Sequence, residues 1–351
     1  MGTHDQLLKL YDDLIPDKHD GVIPLYVVPL IRYSYKKSDY LYLLYQDIIE
    51  NRADQFSVKC VSVWKHFLFV FRAIVSRDVI LHYHWLECTD IKSLAGMTNK
   101  LVCIFLFKAL GGHLVWTVHN KRPHDNRFRR LNYKIQSWMA SRADIIHVHC
   151  QSAVDEISHF FNQPASKFRV VDHPTFPSTM IERDEAIELL NNERDLALNP
   201  SDTIFLMFGN ISSYKQIEKV CRMFTELEPD KKLLIVGPVK KGQMSTFNTI
   251  KKFGSKNDNI IVIPHFIPER MVPFYMNAAD CVVFNYRRIL TSGGAELARS
   301  YDRPVLAPAM GCLTELDEDN ITLFNSQKQL MNLIADFNPN SQSNSSPDPD
   351  A

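Results

Sequence analysis

The chain has 351 residues, long for one compact core and comfortable for two domains. It pairs 40 Lys+Arg with 40 Asp+Glu, and 45% hydrophobic with 23% charged residues is an ordinary globular composition. With no net charge, no global field draws it to nucleic acid or to anionic lipid, which sets a nucleic-acid binder aside.

The N-terminal stretch MGTHDQLLKLYDDLIPDKHDG has no long apolar run, so it does not read as a signal peptide. Gln6 stands where a myristoylation signal wants Ser or Thr. The apolar, β-type run VIPLYVVPL (22–30) follows. KSDYLYLLYQDIIEN then has helical spacing, and FSVKCVSV (56–63) alternates as a strand does. WKHFLFVFRAIVS is helical, DVILHYHW (78–85) a strand, and KLVCIFLFKALGG a helix closed by two glycines. Its core, LVCIFLFKAL, is too short to span a bilayer and carries Lys108, so the protein is expected to be soluble or peripheral. HLVWTVHN (113–120) is a strand, FRRLNYKIQSWMASR a helix and DIIHVHC (144–150) a strand. SAVDEISHFF is a helix opened by an N-cap serine, and KFRVVDHP closes this half.

After a Pro/Ser/Thr-rich linker, HPTFPSTM (173–180), the alternation starts again. DTIFLMFGN (202–210), KKLLIVG, NIIVIPHF, DCVVFNY (280–286) and PVLAP (304–308) read as strands. KQIEKVCRMFTEL, STFNTIKKFG, ERMVPFYMNA and GGAELARSY read as the intervening helices. Such regularity implies parallel sheets covered by helices on both faces. The expected division is residues 1–175, residues 181–337, and a disordered polar tail over 338–351. The seven cysteines are scattered, with no C-x-x-C, and read as reduced core thiols of a cytosolic protein rather than a disulfide framework or zinc site.

Open parallel sheets bind ligands beyond the carboxyl ends of their strands. In the first half those positions are His84, Trp85 and Glu87, then His119 and Asn120, with His124 and Asp125 on the loop that follows. His82 and His84 share a strand face, and His119 is the last strand residue before the polar loop. In the second half they are Gly209 and Asn210, Gly237, Phe266, and the stretch 287–294. The sharpest feature is Thr291-Ser292-Gly293-Gly294 opening a helix after a strand. Free N–H groups at a helix N-terminus, with glycines that admit close approach, make a cradle for a diphosphate. An ordinary serine-capped helix is the plainer reading of T-S-G-G alone. Glu296, in the first turn, is placed to reach ribose hydroxyls. Lys215, near the start of the helix after the Gly209 turn, adds a point charge of the kind that binds phosphate.

At these motifs the chain resembles the family 4 group of GT-B glycosyltransferases, and within it the mannosyltransferases of bacterial exopolysaccharide and capsule (xanthan-type) assembly. The resemblance is carried by LHYHWLE, TVHNKRPHD, FGNISSYKQIEKV, HFIPERMVPFYMNAADCVVFNY and ILTSGGAELARSYDRPVLAP. It implies an α/β fold of GT-B type, two Rossmann-like doubly wound domains facing a cleft, with acceptor on the first and nucleotide-sugar on the second. It further implies that His119 touches the donor sugar, that Lys215 is the phosphate-binding lysine, and that Ser292, Gly293 and Gly294 hold the diphosphate. Two positions depart from the pattern. Asn210 stands where the family has an arginine, and the E-x7-E positions fall on Ile289 and Leu297. Arg287 or Arg288 could supply the missing charge, and Glu296 could replace the missing carboxylate.

The implied reaction moves a hexose from a nucleotide-sugar, GDP-mannose favoured over a UDP-sugar, to a saccharide or polyprenyl-linked saccharide. No cofactor is expected and no D-x-D stands near a donor strand, which suits metal-independent chemistry, so Lys, Arg, hydroxyl and N–H groups would stabilise the leaving diphosphate. If the reaction inverts, the base is one of His119, Glu87 and Asp125. KRPHDNRFRRLNYK and WKHFLFVFRAI, rich in basic and aromatic residues, fit a peripheral site at the inner face of the membrane as well as a solvated helix and a core helix. Competing readings are an inactive subunit that binds a partner transferase and a GT-B-fold sugar-nucleotide epimerase. GT-B chains usually close with a helix that crosses back to the first domain; the stretch 5–15 fills that role here or the crossing is absent.

Overall fold

The computed structural model describes residues 1–15, 21–88, 91–123, 128–194, 196–316 and 320–339. It divides into two compact units, one of Met1–Pro174 with Ile289–Thr291, the other of Thr175–Arg288 with Ser292–Ala351.

In the first unit, α1 (Thr3–Asp12), β1 (Ile23–Val28), α2 (Tyr40–Asn51), β2 (Phe56–Cys60), α3 (Phe67–Val75) and β3 (Ile80–Tyr83) follow in order. They continue into α4 (Ile91–Ala109), β4 (His113–Thr117), α5 (Arg129–Arg142), β5 (Ile145–Val148), α6 (Gln151–Phe161) and β6 (Phe168–Val170). The six strands form one parallel sheet in the order β2-β1-β3-β4-β5-β6. The chain runs outward to β2, returns to place β3 on the other side of β1, and then proceeds in one direction. The reversal falls between β1 and β3, where neighbouring crossovers depart to opposite faces and leave a crevice at the strand ends.

α1 overlaps the stretch 5–15 that the sequence offers as a closing helix. Its buried Leu7, Leu10 and Tyr11 share a core with Leu44 and Tyr45 of α2 and Val27 of β1, so it belongs to this unit's own packing. α2 starts where the Asp39 carboxylate accepts from the Tyr42 N–H at 2.9 Å. The cap of α6 is Cys150 and not a serine; Ser152 lies inside the helix.

The second unit holds α7 (Arg183–Arg194), β7 (Thr203–Phe208), α8 (Ile217–Phe224), β8 (Lys231–Val236), α9 (Met244–Gly254) and β9 (Ile260–Ile263). α10 (Val272–Ala278), β10 (Cys281–Val283), α11 (Gly293–Ser300), β11 (Val305–Pro308), β12 (Ile321–Phe324) and α12 (Gln327–Ala335) complete it. Its parallel sheet has the order β12-β11-β10-β7-β8-β9, reversing between β7 and β10. α8 shows the logic of the helices. Ile217, Val220, Cys221 and Phe224, at i, i+3, i+4 and i+7, are buried against Phe205, Leu233 and Ile235 of the sheet. α7, β12 and α12 were not assigned from sequence. α7 is tied down by Arg183, whose guanidinium grips the Asp280 carboxylate at 2.7 and 2.8 Å.

Cys60, Cys88, Cys103, Cys221 and Cys281 are free thiols. Among the described residues, no helix is long and apolar enough to cross a membrane. Residues 340–351, most of the expected polar tail, lie outside the described residues.

Candidate functional site

In the second unit the reversal point gathers Gly209, Lys215 and the start of α11. The chain leaves β7 at Gly209 with φ of +93°, a left-handed conformation that suits glycine. A Cβ there would stand 3.1 Å from the Lys215 ammonium nitrogen, so the glycine also makes room for the lysine. Gly237, at the end of the neighbouring β8, is more constrained still. Its φ is +137°, and a Cβ would lie 2.5 Å from the Gly209 carbonyl oxygen. The two turns therefore pass each other at a distance that only glycine at 237 permits.

Lys215 ends a short 3-10 turn and is buried, with 8% exposure. Its ammonium donates to the Phe208 carbonyl at 2.8 Å, and among the described residues no carboxylate pairs with it. Burial pushes its pKa down to about 8. A buried cation without an anion is expensive, and the cost is relieved when an anion binds. Lys215 shares a narrow lining with Phe284, Asn285 and Tyr286, the residues beyond β10. The Tyr286 ring stacks on Tyr214 at 5.7 Å and on Phe284 at 5.4 Å, and its hydroxyl meets that of Ser292 at 2.9 Å.

Ser292 caps α11: its buried hydroxyl oxygen accepts from the Ala295 N–H at 3.1 Å. Gly293 and Gly294 form the first turn. The bare Gly294 has a packing reason, because a Cβ would lie 3.0 Å from the Phe284 ring. The structure thus brings Gly209, Lys215, Ser292, Gly293 and Gly294 around the β7–β10 reversal. Asn210 is exposed, and Arg287 is exposed with its backbone N–H bonded to the Tyr214 carbonyl at 2.8 Å. Arg288 and Thr291 are half-buried. Glu296 is already engaged, accepting from Arg299 at 2.6 Å, so its carboxylate is not idle beside the turn.

The first unit holds a second cluster. The pattern H-x-H occurs at 82–84 and again at 147–149; between them stand Thr117, which ends β4, and His119, two residues past the strand and not its last residue as expected. β3, β4 and β5 are adjacent and parallel, and Thr117 is in register with His147. Two rows result, one of His82, Thr117 and His147, the other of His84, His119 and His149. Tyr11 from α1 and Tyr40 and Tyr45 from α2 supply hydroxyls to this face.

The donors in this cluster can be followed atom by atom. The Val171 carbonyl can only accept, so His147 Nε2–H (3.1 Å) and His149 Nδ1–H (2.8 Å) donate to it. Burial pushes both rings well below the ordinary histidine pKa, so both are neutral and their other nitrogens accept. Thr117 then donates to His147 Nδ1 at 2.9 Å and accepts from His82 Nε2 at 2.7 Å. The remaining lone pair of His82, on Nδ1, has two hydroxyls in reach, Tyr11 at 2.7 Å and Tyr45 at 2.6 Å. Tyr45 also stands 2.9 Å from His84 Nε2, and His84 Nδ1 stands 3.3 Å from His119 Nε2. If Tyr45 donates to His82, His84 and His119 both carry their protons on Nε2; if it donates to His84, both carry them on Nδ1. Tyr45 is hydrogen-bonded to Tyr11 as well, so the direction of its hydroxyl is coupled to the tautomers of His84 and His119.

His119 is half-buried, stacked on the exposed Trp85 ring at 4.4 Å with 11° between planes. Burial and the neighbouring His149 hold its pKa well below the usual histidine value. His84 is buried, while Glu87, four residues beyond β3, and Asn120, three beyond β4, are half-buried. His124 and Asp125 lie outside the described residues. Among the described residues, no group of three His, Cys, Asp or Glu side chains is arranged to hold a metal ion. Sequence reasoning missed Tyr11, Tyr40, Tyr45, Thr117, His147 and His149, although the repeated H-x-H was a visible signal. It also missed Tyr214 and Tyr286, for which a lone tyrosine after a strand gives none.

No family model matches the chain. It is 24% identical over 253 residues to a GDP-mannose:glycolipid 4-beta-D-mannosyltransferase of Xanthomonas campestris pv. campestris. The match takes in 70% of this chain and spans 66% of that relative's length. Among solved structures, Anabaena HepE in complex with UDP and glucose superposes with a TM-score of 0.63 at 16% identity, covering 89% of this chain and 88% of that one. Sucrose-phosphate synthase of Thermosynechococcus elongatus gives 0.62 at 14% identity, covering 91% and 90%. The fold is that of the GT-B glycosyltransferases, and the expected likeness to GT-B mannosyltransferases holds.

Proposed function

We propose that the protein is a glycosyltransferase that takes a hexose from a nucleotide-sugar, GDP-mannose before a UDP-sugar, and passes it to a glycolipid of bacterial surface polysaccharide synthesis. The observation that carries the donor half is Lys215, a buried cation with no carboxylate partner among the described residues, at the strand reversal where this fold class binds nucleotides. The diphosphate lies against its ammonium and the N–H groups that open α11, with Ser292 bracing the turn through Tyr286. These groups stabilise the charge that builds on the leaving diphosphate. The choice of GDP-mannose and of a lipid-linked acceptor is supported by the Xanthomonas relative, whose name states both.

In this reading the first unit serves the acceptor and the reacting sugar. Neutral His119, flat against Trp85, is a hydrogen-bonding group for a sugar hydroxyl more than a base, because a strongly depressed pKa makes imidazole a poor proton acceptor near neutrality. The relative forms a β linkage. If the donor is α-linked, transfer inverts and a base is needed, a role we assign to a carboxylate, Glu87 or Asp125.

Thermal unfolding in the presence of GDP-, UDP- and dTDP-sugars tests the donor. A ligand at a hundred times its Kd adds about 2.7 kcal/mol, a shift well within reach of the method. GDP-mannose is expected to raise the midpoint most. If no nucleotide-sugar raises it, the chain is a non-catalytic subunit and the proposal fails. NMR of the product's anomeric proton then gives the linkage.

A further inference from the structure

Away from both sites, the first unit carries an apolar surface that its own packing leaves uncovered. On α3 and the turn before it, Trp64, Phe67, Leu68, Phe71, Ile74 and Val75 are exposed, Trp64 by 77% and Val75 by 76%. Their three- and four-residue spacing puts them on one face, while Phe69 and Ala73 on the opposite face hold the helix to the core. α3 packs beside α4, where Leu94, Val102, Phe105 and Leu106 are exposed as well. One exposed leucine needs no explanation; ten large apolar side chains on two adjoining helices mark an interaction surface.

The charge around this face is one-sided. Residues 56–77, 91–113 and 128–143, which contain α3, α4 and α5, hold eleven Lys and Arg and no Asp or Glu, in a chain of zero net charge. Arg142 lies over the Phe105 ring at 5.8 Å, and Arg129, Arg130 and Lys134 are exposed on α5. Lys108 is tied to a carboxylate nearby, Asp144 at 2.6 Å. Lys121 and Arg122, by contrast, turn back onto α6, Lys121 pairing with Glu156 at 2.9 Å and both cations resting on Phe160.

We propose that the α3–α4 face seats on an anionic lipid bilayer, its apolar side chains entering the acyl boundary and its basic rim meeting the headgroups. This deepens, and rests on, the reading that the acceptor is a glycolipid. A second copy of the chain fits the face poorly, since it would set one cationic rim against another. A bilayer with anionic headgroups satisfies both the apolar area and the charge.

Flotation of the full chain with vesicles of phosphatidylcholine mixed with phosphatidylglycerol, and with phosphatidylcholine alone, tests this. Binding is expected to the mixed vesicles, to weaken as salt rises and to be much lower on phosphatidylcholine alone. Phe71→Asp and Ile74→Asp are each expected to lower partitioning about tenfold or more, with unchanged thermal unfolding because both side chains are exposed. Absence of binding at low salt, or variants that float as the unaltered chain does, overturns the proposal. So does a dimer by light scattering that Phe71→Asp dissociates, which would make the face a contact between copies. GDP-mannose binding measured on the same samples separates the two readings. Retained donor binding without flotation removes the membrane surface alone, and flotation without donor binding removes the transferase reading alone.

Discussion

Replacing Lys215 by methionine separates the stability of the second unit from its proposed work. The lysine's pKa falls from an ordinary 10.5 to about 8 through burial alone, so the folded state disfavours the charged form by about 3 kcal/mol. Methionine has a similar reach and no charge, and would remove that penalty. Against this, the Phe208 carbonyl loses a donor at 2.8 Å, a loss of roughly 1–2 kcal/mol. The balance is a gain of about 1–2 kcal/mol at pH 7, a rise in melting temperature of roughly 2–8 °C.

The pH dependence has a definite sign. A lysine with a lowered folded pKa binds fewer protons folded than unfolded, so the native chain gains stability between about pH 8 and 10.5. The advantage of Lys215→Met is therefore full below pH 8 and shrinks above it. Donor binding runs the other way. A diphosphate restores the charge, so affinity is level below pH 8 and falls above it, and the methionine variant loses about 100-fold. Scanning fluorimetry and calorimetric titration with GDP-mannose measure the two quantities on one sample. A variant destabilised by more than about 1 kcal/mol, or one that binds donor within about threefold of the parent, refutes the reasoning.

The first unit should be acid-labile. Burial lowers His82, His84, His119, His147 and His149, so each contributes stability above pH ~6.5 that is lost as pH falls toward its folded value, by up to about 1.4 kcal/mol per pH unit. Urea midpoints that stay level from pH 7.5 to about 5.5 would contradict this. Gly237→Ala forces a Cβ to 2.5 Å from the Gly209 oxygen and is expected to lose roughly 2–4 kcal/mol together with donor binding. Gly242→Ala, at φ +80° with open space around it, should lose about 1 kcal/mol and keep donor binding, so equal effects at the two positions would argue against a special role for 237. Tyr45→Phe removes the hydroxyl that joins His82 to His84. It should change the Nδ1 and Nε2 nitrogen shifts of His119 in NMR and lower transfer with nucleotide affinity unchanged, whereas unchanged shifts would mean that the tautomer is set elsewhere.

Much of this molecule was legible in the chain itself. Strand runs such as DVILHYHW and DTIFLMFGN announce themselves because a strand buried on both faces must be continuously apolar, and alternation with helical periods leaves little besides two parallel sheets. The T-S-G-G turn and Lys215 were legible for a related reason, since a ligand rule tied to strand ends needs only the strands. α7 was not, because its many polar residues give a weak pattern and its place is fixed by a distant partner, Asp280; α1 was offered as a closing helix, and its packing on Tyr45 is fixed by the fold. That Glu296 pairs with Arg299 one turn on is likewise visible only in the structure.

Gly294 read as a ligand contact, while the Phe284 ring gives it a packing reason that sequence cannot show. The histidines divide the same way. Their residue types and the two-residue repeat are properties of the sequence. That β3, β4 and β5 lie side by side, bringing residues 82, 117 and 147 into one hydrogen-bonded row, is a matter of sheet order and register. Proton positions in a buried row depend on every partner at once, and those partners come from six separate stretches of chain.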